Sequence, residues 1–187
     1  MRAGMVFLVF VLLLIGGCFT AVGGGLAGAS AEGGLSRTVD APPSAVQEAL
    51  KTVMRGDGLA LTSRADNGDH YRQVVPAYQL ARDPKYASLS RLGDMLVTAR
   101  VHPGGAVIHT SFTMIDTGAD FTIDVVPGEG GKGSVVTIAP EVVQGSGEDA
   151  ERVAERLRDT IDRQARDILS RVVSNARSAR PAGQSPA

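Results

Sequence analysis

The chain has one cysteine in 187 residues and no tryptophan. Because Cys18 stands alone, no disulfide forms within the chain and no metal site can be built on thiolates. Aromatic residues make up only 4% of the sequence. Past the first 31 residues they are Tyr71, Tyr78, Tyr86, Phe112 and Phe121, so a large flat ligand would find few stacking partners. Neither sign of charge dominates: 19 Lys and Arg stand against 20 Asp and Glu. No basic stripe is interleaved with aromatics, which leaves a nucleic-acid partner without an electrostatic footprint. His70, His102 and His109 are scattered, with no i,i+4 spacing, so the pattern does not predict a zinc site. A Gly-x-Ser-x-Gly elbow is missing too, and serine hydrolysis is unsupported. No cofactor is expected. Charge itself is absent from Ala3 to Ala31.

That uncharged stretch is the strongest signal in the chain. Met5 to Ile15 is continuously apolar, and Met5 to Val22 as a helix would span ~27 Å, close to a bilayer core of ~30 Å. A retained signal anchor with Arg2 on the cytoplasmic side is one reading. A cleaved leader is another, since Ala29-Ser30-Ala31 has the small-x-small form of a signal-peptidase site. In the third, Ile15-Gly16-Gly17-Cys18 resembles the lipobox of bacterial lipoproteins, which makes Cys18 the lipidation candidate. All three lead to the cell envelope, with the rest of the chain on the exocytoplasmic side. Residues 1–22 are thus read as signal anchor or signal peptide, and residues 23–34 as a Gly/Ala-rich linker.

Residues 35–176, part of the roughly 155 residues beyond the leader, have the size of one domain with its own core. Leu35 to Val39 predicts a strand. Asp40-Ala41-Pro42-Pro43-Ser44 then opens a short helix whose apolar face is Val46, Ala49, Leu50, Val53 and Met54, ending at Gly56-Asp57-Gly58. Leu59 to Ala65 and His70 to Val75 are expected to pair around Asn67-Gly68 as a type I′ hairpin. Pro76 to Gly93 reads as irregular. Met95 to Val101, Ala106 to Ile115, Ala119 to Val126 and Ser134 to Pro140 continue as a meander. Alternation would put Ile108, Phe112 and Met114 on one face, and Phe121, Ile123 and Val125 on one face of the next strand. From Ser146, with a capping-box spacing to Asp149, a helix of about 30 residues follows. Its apolar stripe is Ala150, Val153, Leu157, Ile161, Ala165, Ile168, Leu169, Val172 and Val173. Its other face carries Arg152, Arg156, Asp167 and further charges, including the i,i+4 pairs Asp159 with Arg163 and Asp162 with Arg166. Residues 177–187 read as a disordered tail.

The junction Thr38-Val39-Asp40-Ala41-Pro42-Pro43-Ser44-Ala45-Val46, followed by several strands and one long C-terminal helix, resembles the START-like superfamily of polyketide cyclases and lipid-transfer proteins. Gln47 stands where that family often has an aromatic. The resemblance implies an α+β helix-grip fold, an antiparallel curved sheet wrapped around the C-terminal helix, with an apolar ligand held between them. Phe112, Phe121, Ile123, Leu157, Ile161, Ala165 and Ile168 would then line the ligand space or, alternatively, fill one another's volume as core.

Two short motifs suggest chemistry. Asp116-Thr117-Gly118-Ala119 resembles the signature of retroviral-type aspartic peptidases, in which two such aspartates from two chains activate water; Asp116 is the residue that would act. A hairpin turn is the plainer reading of the same residues. Gly128-Glu129-Gly130-Gly131-Lys132-Gly133 satisfies G-x-G-x-x-G, but a strand rather than a helix follows it, so a phosphate loop is not expected. The expectation from the sequence is therefore a membrane-tethered, non-catalytic binding domain for an apolar or lipid-like ligand. The alternatives are a filled-core module for envelope assembly and, through Asp116, a peptidase-like enzyme.

Overall fold

The computed structural model describes residues 34–179 apart from residues 85 and 147. The apolar leader with Cys18, nearly all of the linker and the tail beyond residue 179 lie outside the described residues. So do the side chains of Asp149 and Asp159, and with them the capping box and the Asp159–Arg163 pair. Among the described residues no helix is long and apolar enough to cross a membrane.

The domain is α+β, a seven-stranded antiparallel curved sheet with a long C-terminal helix. The chain enters on β1 (Leu35–Val39), and Pro43 in the first turn opens α1 (Pro43–Gly56). There its missing N–H costs nothing, while Ala45 and Val46 donate to the Pro42 carbonyl at 2.9 and 3.2 Å. α1 buries Val46, Ala49, Leu50, Val53 and Met54, the face its periodicity predicts. Strands β2 (Ala60–Ala65), β3 (Gly68–Val75), β4 (Met95–His102), β5 (Gly105–Phe112), β6 (Ile115–Pro127) and β7 (Ser134–Val143) then run as a meander. The order β1-β7-β6-β5-β4-β3-β2 makes β1 and β2 the edges. A short helix, α2 (Ala77–Leu80), and a 3₁₀ turn (Leu89–Leu92) fill the β3–β4 connection. Finally α3 (Glu148–Ser178) packs on β7, β6, β1 and α1, continuing two residues past the predicted domain end.

Inward positions such as Val97, Ile108, Phe121, Ile123, Val136 and Ile138 alternate with half-buried or exposed ones, and together with α1 and α3 they form one contiguous core. The predicted stripe of α3 is buried, apart from a partly covered Val153.

Three local expectations are corrected. Asn67 does not take the positive φ of a type I′ turn, because among the described residues none other than glycine has positive φ. The two-residue loop is Asp66-Asn67, and Gly68 opens β3 opposite Ala65 with φ 129°. A Cβ on Gly68 would lie 2.4 Å from the Val101 carbonyl oxygen, so glycine there permits the β3–β4 approach. Secondly, β5 stops at Phe112 and the chain turns at Thr113-Met114. Met114 is consequently 76% exposed instead of sharing a face with Ile108 and Phe112. Its turn is held from outside the hairpin: the Asp94 N–H donates to Thr113 Oγ1, and the Thr113 and Met114 N–H groups donate to the carbonyls of Asp94 and Leu92, each at 3.0 Å. Asp116-Thr117-Gly118 therefore lies inside β6, with Asp116 and Thr117 bulged between the pairs Ser111–Gly118 and Phe112–Ile115, and is no hairpin turn. Thirdly, among the described residues Asp167 pairs with Arg171 at i,i+4 on α3, at 2.8 Å, whereas Asp162 and Arg166 do not pair.

Candidate functional site

The seven residues named as ligand-lining lie together in the core between sheet and α3. Phe112, Phe121, Ile123, Leu157, Ile161, Ala165 and Ile168 are each no more than 7% exposed, within one continuous cluster. Two of the open clefts formed by described residues lie elsewhere, and neither of these two is lined by any of these seven.

The first cleft, of about 330 Å³, lies where the β3–β4 connection, the β5–β6 turn and the early turns of α3 converge. The 3₁₀ turn contributes Arg91 and Leu92, the hairpin contributes Met114 and Ile115, and α3 contributes Arg152, Val153 and Arg156. Each piece is held in place by a specific contact. The Ala77 N–H donates to Asp94 Oδ1 at 2.9 Å, anchoring the start of α2 to the segment just before β4. Gln164 Nε2 donates to the Tyr86 hydroxyl at 3.1 Å, which ties the same connection to α3. Burial pushes the Tyr86 hydroxyl pKa up, so this group stays a neutral hydrogen-bonding partner. Leu92, Ile115 and Val153 are half-buried and rest on the edge of the main core, so the floor of the cleft is an extension of it. Met114 stands exposed beside them.

The electrostatics of this cleft depart from those of the chain. Among the described residues its three charged lining residues are all arginines. Arg91 and Arg156 form no ion pair with any described residue. Arg152 and Arg156 stand at i,i+4 on α3, where like charges cost a helix a few tenths of a kcal/mol. Chemically, such a surface supplies apolar contact area on one side and planar donors suited to phosphate or carboxylate on the other. None of these arginines was singled out as a site residue in the sequence. The Arg152–Arg156 spacing was visible there, but Arg91 joins them only through the fold of the β3–β4 connection.

The second cleft, about 360 Å³, crosses the outer face of β2 to β5, with Thr62, His70, Arg72, Thr98, Arg100, Val107 and His109 among its lining. His109 Nδ1 is in short hydrogen-bond contact with Asp120 Oδ1 on the neighbouring strand. Among the described residues no group of three His, Cys, Asp or Glu is placed to hold a metal ion.

Asp116 is exposed in the β6 bulge, next to the cleft residue Ile115. Its neighbour Thr117 is buried and accepts a hydrogen bond from the Gly145 N–H at 3.2 Å. At the opposite end of the core, Asp57 caps α1 with a fully buried carboxylate that takes two donors from Arg171, Nη1 in short contact and Nη2 at 3.1 Å. Burial pushes the Asp57 pKa up, and the guanidinium of Arg171 pulls it back only in part.

No family model matches the chain, and no curated protein matches it. Among solved structures it is similar to a protein of unknown function from Staphylococcus aureus, with TM-score 0.48 and 10% identity over 78% of this chain and 93% of that one. A protein from Thermus thermophilus is similar with TM-score 0.46 and 15% identity, covering 78% and 97% of the two chains.

Proposed function

We propose that this chain is a membrane-tethered, exported binding domain of the START-like, helix-grip kind, and that it holds an apolar or lipid-like molecule without chemically altering it. The observation that carries the reading is the cleft beside the N-terminal half of α3. Its floor of Leu92, Ile115 and Val153 continues the core, and its mouth leaves Met114 76% exposed. An exposed methionine at the rim of an apolar cleft of this volume is the kind of surface that gains from covering a ligand. The curved antiparallel sheet with the long C-terminal helix packed on it supports the START-like reading. The apolar segment Met5 to Val22 supplies the tether and the exocytoplasmic address.

The test is native mass spectrometry of the full chain purified from a bacterial envelope in non-ionic detergent, with lipid extraction of the same sample. A co-purifying apolar molecule at near-stoichiometric level is expected, and Met114→Asp should deplete it with no change in circular dichroism. A ligand-free protein would instead favour the second reading, a filled-core module for envelope assembly. The close packing of Phe121, Ile123, Ile161 and Ile168 supports that alternative.

A further inference from the structure

We infer that the molecule bound in this cleft is an anionic amphiphile. Its phosphate or carboxylate group would be held by Arg91 and Arg156, and its alkyl chain would lie on Leu92, Met114, Ile115 and Val153. This rests on the binding reading above and adds the charge of the ligand to it.

The charge imbalance of the cleft is local. Over the whole chain acids slightly outnumber bases, 20 to 19, yet among the described residues no acid lines this cleft and three arginines do. Arg91 and Arg156 come from a 3₁₀ turn and a helix far apart in sequence, so it is the fold that brings the two cations to one mouth. Both are exposed, and neither is neutralised by a carboxylate among the described residues. Elsewhere on the domain, partly covered cations are matched: Arg171 is paired with Asp57 and Asp167, and Lys51 with Glu48 and Asp69. Two cations, Arg91 and Arg156, that the fold brings to one mouth without a carboxylate partner among the described residues are the departure expected at a binding site rather than at a merely solvated face. The guanidinium fork fits two oxygens of a phosphate or carboxylate at once.

The apolar floor selects against a bare anion. Inorganic phosphate would use the arginines and leave Leu92, Ile115, Val153 and the exposed Met114 uncovered, whereas an alkyl chain gains about fourfold in affinity for each methylene that it buries there. A neutral lipid would do the reverse, leaving two cations unmatched at the mouth.

The experiment is isothermal titration of the full chain in phosphatidylcholine nanodiscs, corrected against empty discs, with octyl phosphate, 1-octanol and inorganic phosphate as probes. Octyl phosphate should bind about tenfold or more tightly than either of the others, and its affinity should fall as salt rises. Arg91→Gln and Arg156→Gln should each weaken octyl phosphate about fivefold to tenfold and leave 1-octanol unchanged. Both side chains are exposed, so thermal melts should not move; Arg156→Glu provides a stronger second variant. If 1-octanol binds as tightly as octyl phosphate and ignores the arginines, the charge inference falls and the apolar-binding reading stands. If inorganic phosphate binds as tightly as octyl phosphate, the site is for a bare anion and the amphiphile falls. If neither alkyl probe binds, the binding reading fails with it.

Discussion

At the scale of single residues, the strongest commitment in the domain is the pair Asp57–Arg171. Asp57 is 0% exposed while the Arg171 side chain keeps 25% of its surface. The two ends of the pair are therefore unequal. Arg171→Met strands a carboxylate with no solvent and should cost about 3–5 kcal/mol at neutral pH, whereas Asp57→Asn leaves a partly solvated guanidinium that still reaches Asp167 and should cost less, about 1–3 kcal/mol. Burial raises the folded-state pKa of Asp57, so its ionisation opposes folding. Stability from this group is fully present below its ordinary value of 3.8 and is lost as pH rises through the raised folded value. Without Arg171 that value rises further. Urea unfolding from pH 4 to pH 8 should accordingly show the gap between Arg171→Met and the parent smallest near pH 4 and widest at pH 8. Nothing local foretells the pair, since its members are 114 positions apart. Asp57 reads in sequence only as part of a Gly-Asp-Gly helix stop.

At the scale of elements, two glycines show opposite constraints. A Cβ on Gly118 in β6 would sit 2.0 Å from the Thr110 carbonyl oxygen, so Gly118→Ala must push β5 and β6 apart and should cost about 1–3 kcal/mol. Gly56 ends α1 with nothing within 4 Å of the place a Cβ would occupy and with no positive φ. Gly56→Ala should therefore stabilise the domain by about 0.5–1 kcal/mol. Guanidinium denaturation midpoints of the two variants, moving in opposite directions, check both statements. The β5–β6 hairpin also marks the limit of pattern reading. Alternation carries correctly through Ile108 and Phe112 and through Phe121, Ile123 and Val125, because each strand faces a core on one side only. It misplaces Met114 because the turn position is decided by hydrogen bonds with Leu92 and Asp94, which belong to another segment.

At the scale of the whole molecule, sheet and helices share one core, and the seven residues that the sequence suggested for a ligand space between sheet and α3 are within it. Ile161, 4% exposed, is packed among them. Ile161→Ala should cost about 2–5 kcal/mol if that space is filled by side chains, the full penalty of deleting buried atoms and leaving a void. A cost well under that range in chemical denaturation would mean that the space is already open, which would move the ligand from the arginine cleft to the region between sheet and α3. The two binding positions are thus separable by stability alone, before any ligand is known.

The sequence alone determined the elements with one-sided burial. The faces of α1 and α3 and the alternation of β4 to β7 are periodic patterns, and a periodic pattern is carried by neighbours along the chain. It also determined the balanced charge and the lone Cys18, which are matters of count. The tertiary structure decided that β1 lies beside β7 while β2 takes the far edge, that the chain turns at Thr113-Met114, and that Asp57 meets Arg171. It also brought Arg91 to Arg156 at the mouth of an apolar cleft. Each of these joins segments distant in sequence through sheet register and helix docking, and no periodicity along the chain encodes such a meeting.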